Sequence, residues 1–407
     1  MSIRWWRGLA GGFVLAALLV GALAAGAGAA PKAHTASFST YVSGLLNPRG
    51  MAFGPDGNLY VAEAGSGGTM STAGNADTSP QSETPPCRQV PGPSNGHPTG
   101  PGPTTGDFTA RISRIDRHGV RHTVVDGLAS SQAAIGADVQ GVADVKFFGG
   151  RLYAITAGAG CSHGLAGTHN ALLQVTQGAA SDVVDLSAYL RANPVADTTF
   201  ENEDFEPDGT WYSMVRLHGA FYATEPNHQE VDRIDLNGHV SRVLDMSQES
   251  LALNRWIGPT AMTAHDGDLY FGTLSPFPIT PGFASIYRLS PSGKLSLVVD
   301  DLTTVLGVAF DCSGRLYALE SMNDTNPPFP TPNQVGTGRV VRIDRNGTRT
   351  TVVDGLSFPS AMTFGPDGLL YISNFGFSSP TGEIVRADVD GGRCGGGDDD
   401  DQGNEDN

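Results

Sequence analysis

The sequence predicts an all-β chain: a six-bladed β-propeller of four-stranded antiparallel blades, its ring closed by an N-terminal strand. Three observations carry that expectation. Glycine supplies 54 of 407 residues and proline 26, only 16% of residues are charged and 39% are hydrophobic, so a core can form and turn residues are in excess. That balance excludes a helical bundle, which needs Ala, Glu, Lys and Leu in place of glycine. The second observation is an internal repeat, and the third is that its last copy lacks a strand which stands at the other end of the chain.

In chain order, residues 1–29 read as a signal peptide: Arg4 and Arg7 precede an apolar stretch from Leu9 to Ala25, and Ala27-Gly28-Ala29 is the small-residue pattern that signal peptidase reads. The apolar run is short, broken by glycine and followed by no basic cluster, so no stable membrane anchor is expected after cleavage. Loss of the two arginines takes the formal charge from -17 to -19. So acidic a protein is not expected to bind nucleic acid through phosphate neutralisation, or an anionic membrane surface. The expected location is extracellular or periplasmic, as a monomer.

The propeller is expected over residues 36–394. The segment from Gly44 to Tyr60, containing Asn47-Pro48-Arg49-Gly50 and Gly54-Pro55-Asp56-Gly57, has a near copy from Gly355 to Tyr371, and weaker copies place the same tyrosine at Tyr153, Tyr222, Tyr270 and Tyr317. Downstream lies an Arg-x-Asp-x-x-Gly block, as in Arg114 to Gly119, Arg233 to Gly238, Arg342 to Gly347 and Arg386 to Gly391; Arg288 to Gly293 has Ser290 for the acid, and Gln174 replaces the arginine in the second repeat. A valine-rich block closes five of the copies, as in Val124-Val125-Asp126 and Val352-Val353-Asp354. Each repeat thus reads as strand a, an Asp-Gly turn, strand b, a variable loop, strand c, a glycine turn and strand d. The sixth repeat ends after strand c, and Phe38 to Leu45 supplies the missing strand d, which removes two exposed sheet edges.

A loop insertion in blade one, residues 66–106, is rich in Pro, Gly, Ser and Thr and accounts for the 93 residues between Tyr60 and Tyr153, against 48 between Tyr222 and Tyr270 and 47 between Tyr270 and Tyr317. It reads either as a lid or as a loop without fixed structure. Residues 395–407 read as an acidic disordered tail whose aspartate run lacks the spacing of a calcium loop.

Four cysteines suit an oxidising compartment. By the repeat map, Cys87 and Cys161 lie in b–c loops of adjacent blades on one face, whereas Cys312 and Cys394 lie in turns of adjacent blades on the other. The pairing Cys87–Cys161 with Cys312–Cys394 is the one that avoids crossing the ring.

The residues three beyond the anchor tyrosines are Glu63, Thr156, Glu225, Thr273, Glu320 and Asn374, a ring on the long-loop face. Glu63, Glu225, Glu320 and Asn374 offer oxygen ligands to calcium or another divalent cation at the channel mouth. The competing reading is structural, with the glutamates paired to the strand-c arginines Arg114, Arg233, Arg288, Arg342 and Arg386 or bonded to loop amides. His163, His169 and His228 near Glu225 and Asn227 are a weaker metal pattern. Glu201, Glu203, Asp204, Glu206 and Asp208 either line the channel or form a solvated loop. No serine-hydrolase elbow, phosphate loop, paired CxxC or dinucleotide fingerprint appears.

With the repeats laid out, the chain resembles the ScyD/ScyE family of exported propellers. The resemblance rests on the segment Asn47 to Gly57, on Gly258-Pro259-Thr260-Ala261, on Tyr371-Ile372-Ser373-Asn374-Phe375-Gly376, and on the acidic segment Glu201 to Tyr212. It departs in the first-blade insertion, where the family tends to carry two cysteines and only Cys87 stands here, and in the blade-three turn Glu225-Pro226-Asn227-His228. The resemblance implies a propeller and export, and assigns no catalytic residues. The function expected is therefore a secreted protein that binds a small-molecule ligand or a protein partner. The alternatives are a metal-dependent hydrolase resembling the gluconolactonase group, with its cation at the glutamate ring, and a quinone-dependent sugar dehydrogenase.

Overall fold

A computed structural model of the chain describes residues 35–72, 87, 102–134, 138–198, 206–254, 256–274, 279–322, 335–377 and 381–389. The signal segment 1–29, the tail 395–407 and residues 73–86 and 88–101 of the insertion lie outside the described residues. Strand β1 (Phe38–Leu45) precedes blade one, made of β2 (Pro48–Phe53), β3 (Leu59–Glu63), β4 (Thr105–Ile115) and β5 (Arg121–Gln132). Blade two is β6 (Val142–Phe148), β7 (Arg151–Thr156), β8 (Ala171–Thr176) and β9 (Ala179–Asp185), followed by the short helix α1 (Leu186–Ala192). Blade three is β10 (Ser213–Leu217), β11 (Ala220–Glu225), β12 (Glu230–Ile234) and β13 (Val240–Asp245), followed by α2 (Ser247–Ala252). Blade four is β14 (Gly258–His265), β15 (Asp268–Leu274), β16 (Ala284–Leu289) and β17 (Leu295–Leu302). Blade five is β18 (Val305–Phe310), β19 (Leu316–Glu320), β20 (Gly338–Ile343) and β21 (Arg349–Leu356). Blade six is β22 (Ala361–Phe364), β23 (Leu370–Asn374) and β24 (Gly382–Ala387).

The sheet of blade six has the order β1-β24-β23-β22, so the ring closes as expected, with Phe38 opposite Ala387 and Leu45 opposite Gly382. The innermost strands β2, β6, β10, β14, β18 and β22 each touch the next, and β22 returns to β2. Burial follows the same circle. Six separate apolar clusters fill the six gaps between neighbouring blades. The closing gap between blades six and one buries Val42 and Leu45 of β1 against Met51, Leu59 and Val61. An open ring of six blades would have one apolar gap fewer, so the closing strand brings a whole interface of burial as well as a hydrogen-bonded ladder.

The recurrent tyrosine has a local task. Its hydroxyl donates to the carboxylate of the preceding a–b turn, as Tyr60 to Asp56 at 3.1 Å, Tyr317 to Asp311 at 3.1 Å and Tyr371 to Asp367 at 3.0 Å. The turn itself needs a left-handed residue, supplied by Gly57 at φ 74° and Gly368 at φ 77°. Across the ladder each of these tyrosines faces the strand-c arginine: Tyr60 opposite Arg114, Tyr317 opposite Arg342 and Tyr371 opposite Arg386. The repeat motif therefore encodes a turn and its cross-strand support.

Cys87 and Cys161 form the expected disulfide, with a Cα–Cα distance of 5.8 Å and both residues buried. Cys312 is also disulfide-bonded; Cys394, its expected partner, lies outside the described residues. Parts of the blade-one insertion have fixed structure: Met70 pairs with Gly106, the Thr72 hydroxyl donates to the Cys161 carbonyl, and residues 105 and 106 already belong to β4. Among the described residues no helix is long and apolar enough to cross a membrane.

Candidate functional site

The ring of glutamates sits at the ends of the b strands, fully buried, and each carboxylate is engaged with the protein. Glu63 accepts from the Leu46 amide at 2.6 Å, from Arg111 at 2.6 Å and from the Ser113 hydroxyl. Glu320 accepts from the Thr303 amide at 2.7 Å and from Arg339 at 2.6 Å. Glu225 accepts from the Thr210 amide at 2.6 Å and hydroxyl at 3.1 Å, and from the His228 amide. Asn374 accepts from the Ser357 amide at 2.8 Å and donates to Glu383 at 2.9 Å. The bonded amide lies in the connector that leads into strand a, so the side chain ties the inner strand's start to the end of strand b. In blades two and four the threonine hydroxyl instead accepts from the start of strand c, Thr156 from Ala171 and Thr273 from Ser285, each at 2.9 Å.

The arginines that meet these glutamates differ from those expected. Arg111 and Arg339 stand directly opposite Glu63 and Glu320 on strand c. Arg114 and Arg342 lie further along the same strands, opposite tyrosines, and Arg288 pairs with Asp268 instead. Among the described residues, no group of three or more His, Cys, Asp or Glu comes together in a way that could hold a metal ion. The histidines are dispersed: buried His163 lies between the Ser131 hydroxyl and the Gly209 carbonyl, each at 3.2 Å, and its burial disfavours protonation. His169 meets Asp182 at 2.7 Å, and His228 meets the Glu206 carbonyl at 3.1 Å. Of the acidic run, residues 201–204 lie outside the described residues, whereas Glu206 and Asp208 are buried rather than solvated, and neither lines the pocket described below. Asp208 accepts from the Ser162 amide at 2.8 Å and from Arg191 at 2.6 Å, fastening α1 beneath the loop.

Blade three carries an acid pair that the repeat map does not single out. Glu225 and Glu230 face each other across β11 and β12, and Asp232 follows on the same face. Glu230 pairs with Arg242, and buried Asp232 lies beside Glu230 and Tyr189. Burial raises the pKa of Glu230 well above the usual carboxylate range and that of Asp232 to about 6; Glu225 adds to both shifts and Asp232 to that of Glu230, whereas Arg242 opposes both and the hydrogen bond with Glu230 opposes that of Asp232.

The central channel holds a feature shaped to receive a molecule. Tyr212, leading into β10 of blade three, donates its hydroxyl to the Ser360 carbonyl at 2.6 Å, beside β22 of blade six. Blades three and six are opposite in the ring, so the tyrosine is a bar across the channel. Burial holds its phenol protonated far above the usual pH, against the favourable charge of Arg49. Above the bar, at the long-loop face, lies a pocket of about 120 Å3 lined from all six blades.

Its two walls differ. Leu274, Ile279, Leu306, Met322 and Phe377, from blades four to six, form an apolar side that belongs to a buried cluster with Phe358. Arg49, Asp138, Gln140, Thr210 and Asn227, from blades one to three, place polar groups on the other side among Ala143, Ala157, Trp211 and Pro226. The Arg49 guanidinium donates to the Val139 carbonyl at 2.5 Å and stands 5.8 Å from the centre of the Phe377 ring. Gln140 donates to Asp138 at 3.2 Å, and its own amide oxygen is buried without a partner. Only Arg49 of these falls in a repeated motif, and there it is indistinguishable from a structural residue. The others occur once, outside the repeat; Thr210 and Asn227 fall in segments noted in the sequence for other reasons, and no sequence signal marks Asp138 or Gln140.

No family model matches the chain, and no curated protein matches it. Solved structures similar to it include a putative oxidoreductase (glucose dehydrogenase) from Thermus thermophilus, at 14% identity over 86% of this chain and 99% of that one, TM-score 0.49. A gluconolactonase from Xanthomonas campestris is similar at 11% identity over 87% and 90%, TM-score 0.47. Virginiamycin B lyase from Staphylococcus aureus is similar at 12% identity over 86% and 99%, TM-score 0.44. The fold assignment rests on the blade topology described above.

Proposed function

We propose that this chain is a secreted binding or accessory propeller of the ScyD/ScyE type, which takes a small molecule in the pocket at the mouth of its channel. One observation carries the reading: the pocket is walled on one side by apolar side chains, offers a few convergent polar groups on the other, and ends at the Tyr212 bar. The disulfide between Cys87 and Cys161 suits an exported protein. Metal-assisted hydrolysis would require Glu63, Glu225 and Glu320 to surrender the amides they hold, and Glu63 and Glu320 their arginines as well, bonds whose loss is costly.

The test is a small-molecule fragment screen by ligand-observed NMR on the mature protein, repeated on Leu306→Trp, which fills the pocket. Fragments that bind the unaltered protein and are lost from a folded Leu306→Trp variant support the reading. Fragments that bind both equally well place the ligand elsewhere and overturn it.

A further inference from the structure

Resting on that reading, we infer the class of ligand: a body of about one ring, seated on Leu306, Met322 and Phe377, that carries a carboxylate held by Arg49. The size follows from the pocket, whose volume of about 120 Å3 is of the order of a cavity that accepts a benzene ring. The apolar wall supplies the seat for that ring, since Ile279, Leu306, Met322, Phe358 and Phe377 pack as one buried cluster and present a continuous surface.

The charge follows from Arg49. Four other partly buried guanidinium groups meet buried carboxylates, Arg111 with Glu63, Arg191 with Asp208, Arg242 with Glu230 and Arg339 with Glu320; Arg114, Arg121, Arg233 and Arg386 have no such ion pair among the described residues, but none of them lines the pocket. Arg49 is partly buried too, yet among the described residues no ion pair joins it to a carboxylate. Asp138, the one acid on the same wall, is bonded to Gln140. A guanidinium withdrawn from water without a counter-charge is costly, and a bound carboxylate relieves that cost. Arg49 is also held ready, since its bond to Val139 and its place over Phe377 orient a planar fork of donors suited to a carboxylate. The Tyr212 hydroxyl faces the same charge and is committed to Ser360.

Three probes of one shape separate the possibilities: phenylacetate, phenylacetamide and phenethylamine, titrated calorimetrically into the mature protein. Phenylacetate is expected to bind about tenfold or more tightly than the neutral amide, and the amine most weakly. Arg49→Met is expected to abolish the preference for phenylacetate while phenylacetamide binds as before, and Arg49→Lys to keep part of it. Equal or tighter binding of the amide or the amine overturns the carboxylate assignment and leaves the pocket reading in place. Binding of none of the three, with the fragment screen also blank, overturns the pocket reading and this inference with it. The ranking on the unaltered protein decides the matter even if Arg49→Met fails to fold.

Discussion

The Tyr212 hydroxyl on blade three reaches the Ser360 carbonyl on blade six at 2.6 Å, joining opposite walls of the channel. The Ser360 hydroxyl in turn donates to the Pro48 carbonyl of blade one at 2.6 Å, so three blades converge on one polar chain near the axis. Tyr212→Phe should cost about 1 kcal/mol of stability, the worth of one buried hydrogen bond, whereas Tyr212→Ala should cost about 3–5 kcal/mol through the cavity it leaves. Urea denaturation of the two variants measures both. Equal losses would show that the bond, not the ring, carries the whole effect.

Closure by β1 places one of the six blade interfaces under the control of eight residues near the N-terminus. Deleting residues 36–43 should lower the melting temperature by about 10 °C or more, since each kcal/mol is worth a few degrees in a chain of this size. Differential scanning calorimetry is the measurement. An unchanged melting temperature would contradict the closed ring.

Glu63→Gln and Glu320→Gln each leave a partly buried arginine without its counter-charge, Arg111 and Arg339 respectively. A loss of about 2–4 kcal/mol is expected for each, with the same loss in the presence and absence of a chelator. Elemental analysis gives the contrary outcome its form. A stoichiometric divalent cation that departs on substitution of Glu63, Glu225 or Glu320 would make the ring a metal site.

The acid pair of blade three should make stability fall as pH rises. The folded pKa of Asp232 is raised to about 6 by burial, with Glu225 adding to the shift and Glu230 and Arg242 opposing it, against an unfolded value near 3.9. The stabilisation is therefore fully present below about pH 4 and is lost as pH rises through about 6. Glu230 shifts in the same direction, while Glu225, Arg242 and Tyr189 are the charged or titratable groups that interact with the pair. Urea midpoints followed from about pH 4 to 7 should decline in the unaltered protein and be flatter in Asp232→Asn.

Gly50 is required by close approach. A Cβ there would lie 2.1 Å from the Asp144 carboxylate and 2.8 Å from the Asp144 backbone, in the neighbouring blade. Gly50→Ala should therefore destabilise by about 1–3 kcal/mol, as overpacking does, with the loss read from chemical denaturation. Ala52→Gly, two residues on in the same strand, serves as the control for a change of backbone freedom alone.

Much of the fold was legible because each blade is one local pattern written six times. The Asp-Gly turn, the tyrosine that bonds it and the apolar alternation of the strands are short-range relations, and their recurrence reveals the blade count, the missing strand and the disulfide between adjacent loops. The ring of Glu63, Glu225, Glu320 and Asn374 was legible as a position but not as a role. Which arginine meets Glu63 depends on ladder register, and a shift from Arg114 to Arg111 exchanges a tyrosine's partner for a glutamate's.

What the tertiary structure alone decided lies on the axis and in blade three. Tyr212, Arg49 and Phe377 belong to different blades and become neighbours only when the ring closes, so no periodicity relates them. The Glu230–Asp232 pair looks like ordinary strand polarity until α1 and the neighbouring blade exclude water from it. Sequence by itself determined what repeats, because a repeat is a local instruction. The closed ring decided what converges, because channel and pocket exist only where all six blades meet.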